Sequence, residues 1–181
     1  MRISCIVDDV NFSKDICTHM PLSELIHQRK IGSEGLYCRC AGRKCLNCLC
    51  FMEDSSGLNG ERDLLPSCMI PAYKADGKKI TTADYFLSTE DAGDVFDAYR
   101  LLKLNPCQSC FSAKTMIFSY IASEYLNFEN HYSGVEAKDY EARKSFLIRT
   151  NMNLSSCSCL SMKSVSSIVE MAIKIRRNRN V

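Results

Sequence analysis

CRCAGRKCLNCLC, residues 38–50, puts five cysteines into thirteen positions. One spacing inside it has chemical meaning: Cys40-x4-Cys45-x2-Cys48, with Cys68 following beyond a loop. Three cysteines on one loop with a distant fourth is the plant-type 2Fe–2S ligand spacing. Thiolates are soft ligands and select zinc, copper(I) or iron–sulfur clusters. Structural zinc sites usually pair cysteines as short knuckles, the second pair a dozen or more residues away. Three ligands crowded on one loop wrap a cluster better than they grip one ion, so the spacing favours iron–sulfur. Cys38 and Cys50 are spare. Cys50 reads as a strand residue and Cys38 as packing beside the loop.

The flanking sequence has the texture of an α+β unit. Residues 2–7 and 10–17 read as two short strands joined at Asp8-Asp9, rich in β-branched and aromatic residues around a polar turn. Cys5 and Cys17 fall inside them and are expected to be small buried hydrophobes. A helix opens near Pro21, with Leu22, Leu25 and Ile26 on one face. Beyond the cysteine loop, Leu49-Cys50-Phe51-Met52 and Lys79-Ile80-Thr81-Thr82 read as strands. Hairpin, helix and cysteine loop follow one another in the order of a β-grasp ferredoxin. The expected first domain is residues 1–86.

From Ser88 onward the apolar period becomes helical. Ser88 and Asp91 stand at capping-box spacing, and Val95, Phe96, Tyr99 and Leu102 share a face. A second helix carries Met116, Ile117, Tyr120, Ile121 and Leu126. A third spans about 135–149, with Tyr140, Phe146 and Leu147. A fourth carries Met162, Val165, Ile168, Val169, Ala172 and Ile175. Residues 87–181 are thus expected to be an all-α four-helix bundle. Lys174, Arg176, Arg177 and Arg179 read as a solvated basic helix end.

This helical half has its own cysteines. Cys107-x2-Cys110 precedes the second helix and Cys157-x-Cys159 the fourth. Helix starts present unpaired N–H groups and a partial positive charge, which suits an anionic thiolate-bound cluster. A zinc site with the same four ligands is the alternative, since Cys-x2-Cys is also a zinc knuckle.

Composition bounds the rest. The chain has 181 residues, 12 cysteines, no Trp and a formal net charge of +2, which gives no push toward nucleic acid. The first residues lack the apolar core of a signal peptide, and no run has the length of a membrane span. The expected setting is a reducing cytoplasm, where clustered cysteines bind metal rather than form disulfides. No Gly-rich phosphate fingerprint is present, and His19, His27 and His131 are scattered.

Together these motifs resemble the small iron–sulfur subunit of the xanthine dehydrogenase, or molybdenum hydroxylase, family. The resemblance runs along the whole chain: Cys40, Cys45, Cys48 and Ser67-Cys68, then Ile80-Thr81-Thr82, then Cys107/Cys110 and Cys157/Cys159. It implies two 2Fe–2S clusters on those eight cysteines and an electron-transfer role without substrate chemistry of its own. Molybdopterin would sit on a large partner subunit and FAD on another. Electrons would pass from the molybdenum site to the helical-domain cluster, then to the ferredoxin-domain cluster, then to a flavin or other acceptor. The sequence also departs from the family. Arg43 and Leu46 stand where glycines are usual, Pro106 replaces a Gln that touches the pterin, and Ser158 replaces an Arg. The rival readings are a free-standing two-cluster ferredoxin and a zinc-binding interaction protein.

Overall fold

The structure, a computed structural model, describes residues 1–29, 48–55, 62–132, 134, 136–154 and 157–179. It is α+β, with all five strands in the first of two compact units, Met1–Phe86 and Leu87–Val181. No helix among the described residues is long and apolar enough to cross a membrane.

In the first unit, β1 (Arg2–Val7) and β2 (Val10–Asp15) form an antiparallel hairpin. Its turn residues Asp8 and Asp9 both have positive φ, 50° and 62°, the backbone that a two-residue hairpin turn requires. Aspartate tolerates that region better than most residues, and Asp8 is further tied down. Its carboxylate accepts from the Thr82 N–H at 2.8 Å and the Thr82 hydroxyl at 2.9 Å, and its N–H donates to the Ile80 carbonyl.

β3 (Leu49–Asp54), β4 (Arg62–Pro66) and β5 (Lys78–Thr82) complete a five-stranded sheet in the order β2-β1-β5-β3-β4. β5 lies between β1, which it pairs in parallel, and β3, which it pairs antiparallel. Helix α1 (Leu22–Arg29) buries Leu22, Leu25 and Ile26 in one core with Ile3, Cys5, Val7, Cys50 and Ile80. A one-turn helix, α2 (Ala83–Phe86), ends the unit. Cys17 departs from expectation. β2 stops at Asp15, Ile16 turns into the core, and Cys17, next along the chain, is exposed.

The second unit holds α3 (Glu90–Leu102), α4 (Phe111–His131), α5 (Ala137–Met152) and α6 (Met162–Arg179). α4 is the most enclosed. Ala113, Met116, Ile117, Phe118, Ile121 and Ala122 are buried, which fits a helix with neighbours on several sides. Thr89 holds the N-cap position of α3, one residue later than the Ser88 spacing suggests, and its side chain makes no capping hydrogen bond. On α5, Phe146 is 56% exposed while Leu147 and Ile148 face inward.

Arg176 is the largest correction to the sequence reading. It is only 4% exposed rather than part of a solvated tail. It continues the apolar stripe of Val165, Ile168, Val169, Ala172 and Ile173 at helical spacing, so its position carries it inward. There its Nε donates to Asp94 Oδ2 at 2.7 Å, and its two Nη groups donate to Ser119, to Ser123 and to the Asp91 carbonyl. One side chain on α6 therefore ties α3 to α4.

Candidate metal centre

Cys107 precedes a single turn of 3-10 helix, Gln108–Cys110, whose last residue, Cys110, is the N-cap residue of α4. Cys157 and Cys159 lie ahead of α6, where the Ser161 side chain accepts the N–H of Ser164 and so fixes the helix start. The sulfurs of these four residues all lie within 4.8 Å of one another. Cys107 and Cys157 are 3.7 Å apart, although 50 positions separate them in sequence.

Three donors surround the sulfurs. The Cys107 N–H points at Cys159 Sγ at 3.4 Å, and the Ser109 hydroxyl lies 3.5 Å from Cys107 Sγ. The third is Lys114, a residue the sequence reading passed over. It is 0% exposed, and its Nζ donates to the Cys157 carbonyl at 2.9 Å and to Cys159 Sγ at 3.3 Å. A buried cation is costly without a negative partner. Among the described residues no carboxylate pairs with Lys114, and its acceptors are the Cys157 carbonyl and the Cys159 sulfur. Four sulfurs that converge on one another, one of them bonded to a buried lysine, fit a thiolate-bound metal centre.

The thiols titrate unevenly. Hydrogen bonds from Ser109 and then from Cys110 favour the Cys107 anion and lower its pKa to about 6. Burial raises Cys110 to about 12, helped by hydrogen bonding to Cys157 and Cys107. A metal ion inverts this pattern by stabilising every thiolate at once, and its binding releases the retained protons. An open cavity of about 650 Å³ adjoins the group at Cys157, lined also by Arg149, Met152, Ser158 and Leu160. With Cys159 exposed, the centre lies near the protein surface.

In the first unit, Cys48 and Cys68 bring their sulfurs to 3.3 Å. The cause is local. Ser67 is buried, and both its N–H (2.9 Å) and its hydroxyl (2.7 Å) donate to the Cys48 carbonyl. The Ser-Cys pair thus fastens one cysteine-bearing segment to the other. Cys40 and Cys45, the remaining cysteines of the expected first site, lie outside the described residues, as does Cys38. Cys50 is buried in β3 and donates to the Leu65 carbonyl. Burial, then the neighbouring Cys48, pushes its thiol up to about 12, the state of a packed thiol rather than a ligand.

No protein-family model and no curated protein matches the chain. Solved structures do. Quinoline 2-oxidoreductase from Pseudomonas putida 86 superposes over 98% of this chain and 96% of its own, with a TM-score of 0.59 and 19% identity. Aldehyde oxidoreductase from Desulfovibrio gigas matches 99% of this chain (TM-score 0.61, 15% identity), and that from Desulfovibrio desulfuricans 98% (0.59, 14%). This chain spans only 17% of each of those two proteins. All three are oxidoreductases, and the likeness establishes a fold shared along nearly the whole chain.

Proposed function

We propose that this chain is the electron-transfer subunit of a molybdenum hydroxylase of the xanthine dehydrogenase kind, with two 2Fe–2S clusters. The observation that carries the reading is the convergence of four cysteine sulfurs within 4.8 Å at the starts of α4 and α6. Likeness in fold to oxidoreductases supports it.

In this reading residues 1–86 are a β-grasp ferredoxin-like domain, which the mixed sheet with β5 between β1 and β3 supports. Residues 87–181 are a helical cluster-binding bundle. Cys40, Cys45, Cys48 and Cys68 hold one cluster, and Cys107, Cys110, Cys157 and Cys159 the other. A bound 2Fe–2S cluster supplies one-electron transfer. The chain's own residues hold iron through sulfur, aim N–H groups at Cys159 Sγ, and keep Cys48 and Cys68 together through Ser67. A molybdopterin-binding large subunit and an FAD-binding subunit are the partners, and substrate chemistry belongs to the former.

A single zinc ion is the second reading for the helical site. Zinc–sulfur bonds of about 2.3 Å in a tetrahedron place sulfurs about 3.8 Å apart, close to the 3.7 Å between Cys107 and Cys157. Metal analysis separates the two. About four iron and four acid-labile sulfide per chain are expected for two clusters. A colourless protein with zinc in place of iron refutes the proposal, and co-purification with a molybdenum-containing subunit tests the partner assignment.

A further inference from the structure

Lys114 occupies a position that three physical effects oppose. It is fully buried, which penalises an ammonium. It has no carboxylate partner among the described residues. It also lies in the first turn of α4, where the helix dipole repels a cation. Its acceptors are the Cys157 carbonyl at 2.9 Å and Cys159 Sγ at 3.3 Å, both from the short segment ahead of α6. An apolar residue there would meet none of these costs, so the local design makes sense only against a strongly negative neighbour.

We infer that Lys114 is a positioning residue for the helical-unit cluster, an internal counter-cation that raises its reduction potential and fastens the Cys157–Cys159 segment to α4. The inference rests on the iron–sulfur reading of the preceding subsection. One electron added to the cluster increases its negative charge, and a fixed ammonium bonded to a ligand sulfur stabilises that reduced state more than the oxidised one. Hydrogen bonds to sulfur are among the levers that set cluster potentials. No bond forms or breaks at Lys114, and the electron comes from the external donor, dithionite in the assay below. The Cys107 N–H on the same sulfur acts in the same direction.

The test is a mediated dithionite titration of the full iron-loaded chain, followed by EPR, for wild type, Lys114→Met and Lys114→Arg. The two clusters report separately, so the first-unit cluster serves as an internal reference. In Lys114→Met the reduction equilibrium of one cluster falls by about tenfold, a shift of about 59 mV to lower potential for one electron. The other cluster is unmoved. Lys114→Arg retains the cation and most of the wild-type potential. A second measurement needs no variant: wild-type protein labelled with ε-15N lysine shows a weak 15N coupling on one reduced cluster. Both clusters of Lys114→Met titrating as in wild type overturns the inference and leaves the electron-transfer proposal standing. If Lys114→Met fails to load its second cluster, the labelled wild type decides, and an absent coupling overturns the inference. Wild-type protein without iron overturns the proposal itself, and the inference with it.

Discussion

Replacing Asp94 by Asn tests whether the helical unit is held by a buried charge network. Asp94 Oδ2 accepts from Arg176 Nε at 2.7 Å and Oδ1 faces Arg179 Nη1 at 3.2 Å, and the side chains of Asp94 and Arg176 are 4% and 5% exposed. The substituted amide would fill the same space without the charge. Arg176 would then keep neutral acceptors on Ser119 and Ser123 and one carboxylate, Asp91, at 3.4 Å. Breaking a buried pair by removing one partner costs about 3–5 kcal/mol. The surviving Asp91 contact places this case near the lower end, about 3 kcal/mol. With a urea m-value of about 2 kcal/mol/M, the unfolding midpoint of the helical unit falls by about 1.5 M. The assay is urea unfolding of the full chain followed by far-UV circular dichroism, with Glu129→Gln as control. Glu129 pairs with Arg177, whose side chain is half exposed, and losing such a pair costs under about 1 kcal/mol. The double replacement Asp94→Leu with Arg176→Met recovers much of the loss, because an apolar pair leaves no buried charge behind. A cost for Asp94→Asn as small as that of Glu129→Gln refutes the reasoning.

Two further outcomes follow from the cysteine sites. Ser67→Ala removes the hydroxyl bond to the Cys48 carbonyl but leaves the backbone bond, so it costs about 1 kcal/mol. Under the proposed two-cluster reading it also lowers the iron retained by the first unit; unchanged unfolding and iron content would refute the tethering role. In chelator-stripped protein, Cys107 ionises near pH 6, below the usual thiol range, while Cys110 stays protonated to about pH 12. A depressed thiol pKa means the thiolate gains from its folded surroundings. That gain is complete at high pH and is lost as pH falls through 6. Iodoacetamide mapping by mass spectrometry should find Cys107 alkylated first at pH 7 and its rate falling with a midpoint near 6. A midpoint above 8 contradicts the geometry.

Local pattern carried much of the fold. The turn at Asp8-Asp9, α1 with Leu22, Leu25 and Ile26, and the cores of α4 and α6 all lie where periodicity puts them. The sulfurs of Cys107, Cys110, Cys157 and Cys159, singled out by spacing, lie close together. What local pattern could not carry was pairing over distance. Nothing in residues 78–82 announces that β5 lies parallel to β1. The charged residues failed for a different reason. Basic residues near a helix end are usually solvated, so residue type alone points Arg176 outward, while its place on the stripe with Val169, Ala172 and Ile173 turns it inward. Lys114 carried a signal too, a cation in the first turn of an apolar helix four residues after Cys110. Phe146 and Cys17 erred the opposite way, because a hydrophobic side chain on a weakly patterned helix or past a strand end need not turn inward.

The separation of the sulfurs along the chain also sets an order of assembly. Cys48 and Cys68 are 20 positions apart, Cys107 and Cys157 are 50. A crosslink closing the shorter loop removes about 3 kcal/mol of chain freedom from the unfolded state, and one closing the longer loop about 4. During synthesis, domains fold from the N-terminal side. Every thiol of the first unit is translated before α3 exists, whereas Cys107 and Cys110 must wait through the making of α4 and α5 for their partners. Until residue 159 has left the ribosome they form an open dithiol, exposed to oxidation or to the wrong metal. If the proposed second cluster is present, its delivery is a late event in maturation, and a chain stalled within α5 is the vulnerable species.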